Sequence, residues 1–199
     1  MLIIGDSISM SYTPRVRALL GDDAIVIRPT QANGRAENCE GTNKGIKHID
    51  RWLAIDGGNW DVIHFNFGLH DIKHVNPDTG RGSGDPTHAL QAPLPIYTQQ
   101  LNAIIDKMSA TGAVLVFATT TPVPEGPVRP YRDVNDAALY NQEALAIMQE
   151  RGIDVNDLYA FALPRLNDLQ KPANVHFKRA GSQALAEQVA AAIRLNAAW

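Results

Sequence analysis

Ser7 and His176 are the residues of this 199-residue chain whose surroundings point to chemistry. Ser7 closes the block Leu2-Ile3-Ile4-Gly5-Asp6-Ser7. The apolar run reads as a buried strand that Gly5 and Asp6 end, and helical spacing follows over residues 12–20. Ser7 is therefore expected in a strand-to-helix turn at the carboxyl end of the first strand, the edge where open α/β sheets bind ligands. A serine there can simply cap the helix. It can also present its hydroxyl to a cleft, with the next backbone amides aimed the same way. As a nucleophile it needs a neutral imidazole within about 3 Å to take its proton. His176, in Asn174-Val175-His176-Phe177 ahead of an amphipathic helix over residues 179–195, is the candidate. Without Ser7 it would read as an ordinary loop histidine; with Ser7, the pair suits acyl transfer.

Three blocks in order carry a family resemblance: Gly5-Asp6-Ser7, Gly68-Leu69-His70-Asp71 and Val175-His176. Together they resemble the SGNH, or GDSL-type, serine hydrolases over almost the whole chain. The resemblance implies a three-layer α/β/α, flavodoxin-like fold with a parallel sheet of about five strands. It implies esterase chemistry through Ser7 and His176, with no cofactor and no metal. It also implies an oxyanion hole, whose first donor is the Ser7 N–H. A second backbone donor belongs to the loop after the second strand; counted back from a helix opened by Gly45, it falls near Cys39, with Gly41 close by. Asn38 could add a side-chain amide. The third donor position, asparagine in the family, is His70 here.

The chain departs from the family at the acid. The carboxylate normally three residues before the histidine is replaced by Ala173. Losing the acid of a triad protease lowers kcat by about 10⁴, equivalent to ~5 kcal/mol, so a substitute is expected. A backbone carbonyl near Ala173, the Asn174 side-chain oxygen, or a distant aspartate (Asp71 or Asp157) could serve. A Ser-His dyad oriented by a local carbonyl is the favoured arrangement, with Asp71 read as a brace for its loop. Gly-Leu-His-Asp after a strand ending His-Phe-Asn resembles a bacterial branch near the carbohydrate esterases, which implies small acyl groups, acetate above all, on sugars. A general short-chain ester hydrolase and a non-catalytic ligand-binding module are the alternatives.

The elements that must position these residues read as alternating strands and helices, a pattern that predicts a parallel sheet wrapped by helices. After the first strand, residues 24–27, 61–67, 113–118 and 153–155 read as strands, and residues 46–53, 96–109 and 136–151 as helices. Thr111-Gly112 and Arg151-Gly152 read as helix ends. Two proline-rich loops, residues 76–95 and 119–132, follow the carboxyl ends of strands and are candidates to rim the cleft of Ser7. Trp52 and Trp60 are expected in the core, and Trp199 to cover a seam or fray.

Composition narrows the partners. The length suits one domain, residues 1–199, with a sizeable core. The chain is 45% hydrophobic and 20% charged, with a net charge of −3 and no basic stripe, which speaks against nucleic acid. No apolar run is long enough to span a bilayer. A small-molecule or glycan ester is the expected partner, and oligomeric state stays open. The single cysteine, Cys39, cannot form an internal disulfide. The first strand starts at Leu2, leaving no room for a leader in this sequence, so the compartment stays open. Of the six histidines, His64, His70 and His74 are close in sequence, but strand alternation and the absence of an H-E-x-x-H pattern argue against a metal cluster.

Overall fold

Three short apolar runs and a more polar edge segment build a parallel sheet in the order β1 (Leu2–Ile4), β2 (Val62–Phe65), β3 (Val114–Ala118), β4 (Asp154–Asn156). The computed structural model describes residues 1–197, so Trp199 lies outside the described residues. β1 and β2 are buried at every position, as expected of parallel strands covered on both faces. Register pairs Ile4 with Phe65 and Phe65 with Phe117, and the two phenylalanine rings sit 5.4 Å apart.

Helices cover both faces. α1 (Ser7–Leu20) packs on α7 (Arg179–Asn196), while α2 (Thr42–Leu53), α3 (Leu94–Ser109) and α4 (Asp136–Arg151) pack in sequence on the other side. Trp52, Tyr12, Tyr97 and Tyr140 fill the spaces between these layers, and Trp60 is also buried. α4 ends on Gly152 in the left-handed conformation, and Gly112 turns the chain into β3 the same way.

The run over residues 24–27 does not become a full strand. Ile27 bridges Leu2 in parallel, through Ile3 N–H to Ile27 O at 2.8 Å and Ile27 N–H to Met1 O at 3.0 Å. The ladder stops there because Pro29 has no N–H to donate, and Ile25 is left 78% exposed. With this bridge counted as an edge, the sheet follows the flavodoxin-like order 2-1-3-4-5. Two short helices that periodicity did not reveal, α5 (Leu158–Ala162) and α6 (Leu166–Leu169), carry the chain from β4 toward His176.

Candidate active site

The first turn of α1 presents Ser7. Asp6 caps the helix by accepting the Ile8 N–H at 2.8 Å, and the Ser9 hydroxyl donates to Asp6 O at 2.7 Å. Ser7 is thus the first residue of the helix, and its N–H has no partner within the helix. The buried Arg28 clamps this turn from behind. It donates to Ser9 Oγ and Thr13 Oγ1 on α1, to Gly5 O at 3.2 Å, and to Glu37 O at 2.8 Å in the loop ahead of α2. Arg28 carried no signal in the sequence, because its partners, two hydroxyls and two backbone carbonyls, are brought together only by folding.

The segment before α7 presents His176. Gln170 and Phe177 pair in antiparallel fashion, and Lys171 N–H donates to His176 O at 2.9 Å. Gln170 Nε2 secures the loop to Val175 O and Pro122 O. Ala173 takes φ +48°, an uncommon left-handed conformation for a residue with a Cβ. This turn places Asn174 Oδ1 within 2.9 Å of the His176 N–H and 2.7 Å of the ring Nδ1.

These contacts fix the tautomer. The atom that accepts the His176 backbone N–H must be the amide oxygen, so Nδ1 must carry the ring hydrogen to bond the same atom. Nε2 is left with its lone pair and lies 2.9 Å from Ser7 Oγ, although 169 positions separate the two residues. Burial holds the His176 pKa below its ordinary value of 6.5; Lys171 and Arg132 push it the same way, against the opposing field of Asp6. The ring is therefore neutral at pH 7 and can take a proton from the hydroxyl. The distant aspartates do not meet it. Asp157 accepts from Thr119 Oγ1 and caps α5, and Asp71 turns to α2.

His70 follows β2 in a tight turn closed by Asp71 N–H to Gly68 O at 2.8 Å. Gly68 admits no side chain, since a Cβ would lie 1.8 Å from Thr120 Oγ1. The Lys73 ammonium lies 3.2 Å from His70 Nδ1 and can only donate, so the hydrogen of the neutral ring sits on Nε2. Burial, with Lys73 beside it, lowers the His70 pKa to about 3. Asp71 Oδ1 accepts the Thr42 N–H at 2.7 Å and the Thr42 hydroxyl at 2.6 Å, bracing this turn against the start of α2.

The loop ahead of α2 does not place Cys39 as the sequence expectation has it. Cys39 is fully buried, and its N–H donates to Gly5 O at 3.2 Å, so neither group reaches the cleft. Gly41 lies against Asp71, whose carboxylate oxygens would stand 2.7 Å from any Cβ there. The count slipped because α2 opens at Thr42 rather than at Gly45. Asn38 lines the pocket instead. Its Oδ1 accepts the Glu40 N–H at 2.9 Å, while its own N–H and Nδ2 have no protein partner among the described residues.

Ser7, Asn38, His70 and His176 share one pocket of about 240 Å³. Loop 119–132 rims it, as the sequence suggested for this proline-rich stretch, through Pro130 and through Arg129 and Arg132, neither of which stood out by type. Loop 76–95 packs behind that rim, with Ser83 O accepting the Tyr131 N–H at 2.7 Å. A wider groove of about 720 Å³, lined by Pro124, Glu125 and the segment from Leu163 to Ala173, opens beside the His176 loop.

Known proteins share this architecture. An acetyl xylan esterase, AlAXEase, superposes with a TM-score of 0.72 at 16% identity, over 97% of this chain and 100% of its own. A lipase/acylhydrolase from Enterococcus faecalis gives 0.74 at 16% identity, over 99% and 96%. A variant of an acetyl-xylooligosaccharide esterase from Geobacillus gives 0.71 at 16% identity, over 97% and 91%. No curated protein sequence matches the chain. The family model of the GDSL-like lipases and acylhydrolases matches residues 3–184. With nearly its whole length inside that match, the chain belongs to the GDSL-like Lipase/Acylhydrolase family and is a carboxylic ester hydrolase.

Proposed function

We propose that the protein is a serine esterase that removes small acyl groups, acetyl above all, from carbohydrate hydroxyls through an acyl-enzyme on Ser7. The observation that carries this reading is the relay of Ser7 Oγ, His176 Nε2 at 2.9 Å and His176 Nδ1 held by Asn174 Oδ1 at 2.7 Å. The small pocket and the polar loops around it suit a short acyl chain on a hydrophilic alcohol, and two structural neighbours are named as acetyl esterases of xylan or its oligosaccharides.

In this reading the Ser7 oxygen attacks the ester carbonyl while its proton passes to Nε2 of neutral His176. The Ser7 N–H, an Asn38 amide and the His70 Nε2–H hold the oxyanion. Each such donor contributes about 2.7–4 kcal/mol in a serine protease of unrelated fold. The imidazolium then gives its proton to the departing alcohol oxygen, and Asn174 Oδ1 keeps the ring aligned throughout. A water, deprotonated by the same ring, releases the acid and restores the hydroxyl.

The test is hydrolysis of 4-nitrophenyl acetate and of acetylated xylo-oligosaccharides by the wild type, Ser7→Ala and His176→Ala. Each substitution should cut kcat by about 10³-fold or more. Equal rates in all three, near the uncatalysed rate, would show that the cleft binds without reacting.

A further inference from the structure

The walls of the Ser7 pocket are cationic although the chain as a whole carries a net charge of −3. Lys73, Arg129 and Arg132 all line it, and none takes part in an ion pair among the described residues. Arg132 is the informative one. Only 6% of it is exposed, yet its recorded acceptors are the carbonyls of Leu69, at 2.6 Å from Nε, and Pro130, at 3.2 Å from Nη1. Nη2 has no protein partner among the described residues. A buried guanidinium is ordinarily matched by a carboxylate or phosphate.

Nearby acids supply only part of the match. The Asp6 carboxyl also lines the pocket, and its field and that of Arg132 favour each other's charged forms; its Oδ1, however, is committed to the Ile8 N–H, and no ion pair or hydrogen bond joins it to the guanidinium among the described residues. Glu40 pairs with Lys44 at 3.3 Å. Arg129 is exposed at the rim and makes no side-chain hydrogen bond among the described residues. The Lys73 ammonium has only the neutral His70 ring as a hydrogen-bond partner among the described residues.

Building on the esterase reading above, we propose that the ester turned over here carries an anionic group, a carboxylate or a sulfate, on its alcohol part, held by Lys73, Arg129 and Arg132. A pocket of about 240 Å³ has room for a short acyl chain and little more, so the alcohol must lie along the rim, where Arg129 and the loop around it stand. An acidic saccharide ester fits this arrangement better than a neutral one, because a charged group facing unpaired cations in a partly desolvated cleft gives both orientation and specificity.

The test compares kcat/KM for 4-acetoxybenzoate and 4-acetoxybenzamide, with Ser7→Ala as the blank. The amide is the more activated leaving group, so intrinsic reactivity runs against the expected preference. The wild type should favour the anion by about tenfold or more at low salt, and the preference should shrink toward about 1 M NaCl, where the Debye length is ~3 Å. Arg129→Gln and Lys73→Gln should each lower the anion-to-amide ratio several-fold. Lys47→Gln, which makes the same charge change at an exposed site on α2, should leave that ratio where it was. A parallel measurement with 4-acetoxyphenyl sulfate separates sulfate from carboxylate.

Ser7-dependent turnover of both esters at a ratio of one or less would overturn the anion site and leave the esterase intact. A preference for 4-nitrophenyl hemisuccinate over 4-nitrophenyl butyrate, without one for 4-acetoxybenzoate, would overturn the placement on the alcohol side. Absence of Ser7-dependent turnover of every ester would overturn the esterase reading and this inference with it.

Discussion

At the scale of single residues, Asn174 stands where the relay needs an oxygen that accepts the Nδ1–H. Being neutral, it fixes the tautomer as a carboxylate would, but adds no charge to stabilise the imidazolium. Two consequences can be measured in the pH profile of kcat/KM. Nε2 accepts a proton only when His176 is neutral, so activity is present above its pKa and lost as pH falls through it. Because burial lowers that pKa, the acid limb should have its midpoint below 6.5. In Asn174→Asp a carboxylate faces Nδ1, and the midpoint should move to higher pH. In Asn174→Ala both hydrogen bonds of the amide oxygen are lost, and kcat should fall by about 10- to 100-fold, or about 1.4–2.8 kcal/mol. A midpoint that ignores Asn174→Asp would mean that another group titrates. The sequence favoured a local carbonyl and left the Asn174 side-chain oxygen and the remote aspartates as alternatives; the structure puts the Asn174 side-chain oxygen on Nδ1. The deciding feature is the φ of +48° at Ala173, a conformation that residue type does not reveal.

At the scale of elements, the alternation of apolar runs and helical patterns made the sheet and its main helices legible, α4 to the residue. Boundaries failed where a distant contact sets them. α2 starts at Thr42 because Asp71, 29 positions later, accepts both its N–H and its hydroxyl. The expected backbone donor near Cys39 was counted from a start at Gly45, and the Cys39 N–H instead donates to Gly5 O. The joint between β1, α1 and the Asn38 loop depends in the same way on Arg28, which donates to four oxygens across those three segments. Arg28→Met would leave the buried Glu37 carbonyl without this donor, and Gly5 O with the Cys39 N–H alone, at about 1–3 kcal/mol in total. The expected result is a Tm lower by roughly 2–12 °C, at 2–4 °C per kcal/mol for a chain of this size. At a temperature where the variant is still folded, kcat should also fall, because the turn bearing Ser7 and the Asn38 amides are no longer tied together. An unchanged Tm, read by calorimetry, would remove Arg28 from this role.

At the scale of the whole molecule, the buried charge of Asp71 links stability to pH. Burial raises its pKa from 3.8 to about 7, against the opposing Thr42 hydrogen bonds. The folded chain therefore holds this proton more tightly than the unfolded chain does. The stabilisation is fully present below about pH 3.8 and is lost as pH rises through about 7. Asp71→Asn keeps an oxygen for Thr42 and removes the titration; the second carboxyl oxygen has no protein partner among the described residues to lose. The Tm of the variant should match the wild type near pH 4 and gain on it steadily up to pH 8. A constant difference across that range would show that Asp71 does not titrate there.

On the proposed mechanism, the 169 positions between the Ser7 hydroxyl and the His176 imidazole also set when activity can begin. During synthesis Ser7 leaves the ribosome well before the ring that would activate it, and it waits, inert, through the interval. Only after α7 emerges and docks on α1 are the two side chains held together. Hydrolysis should therefore begin no earlier than that docking, and its onset in a translating extract would report the step.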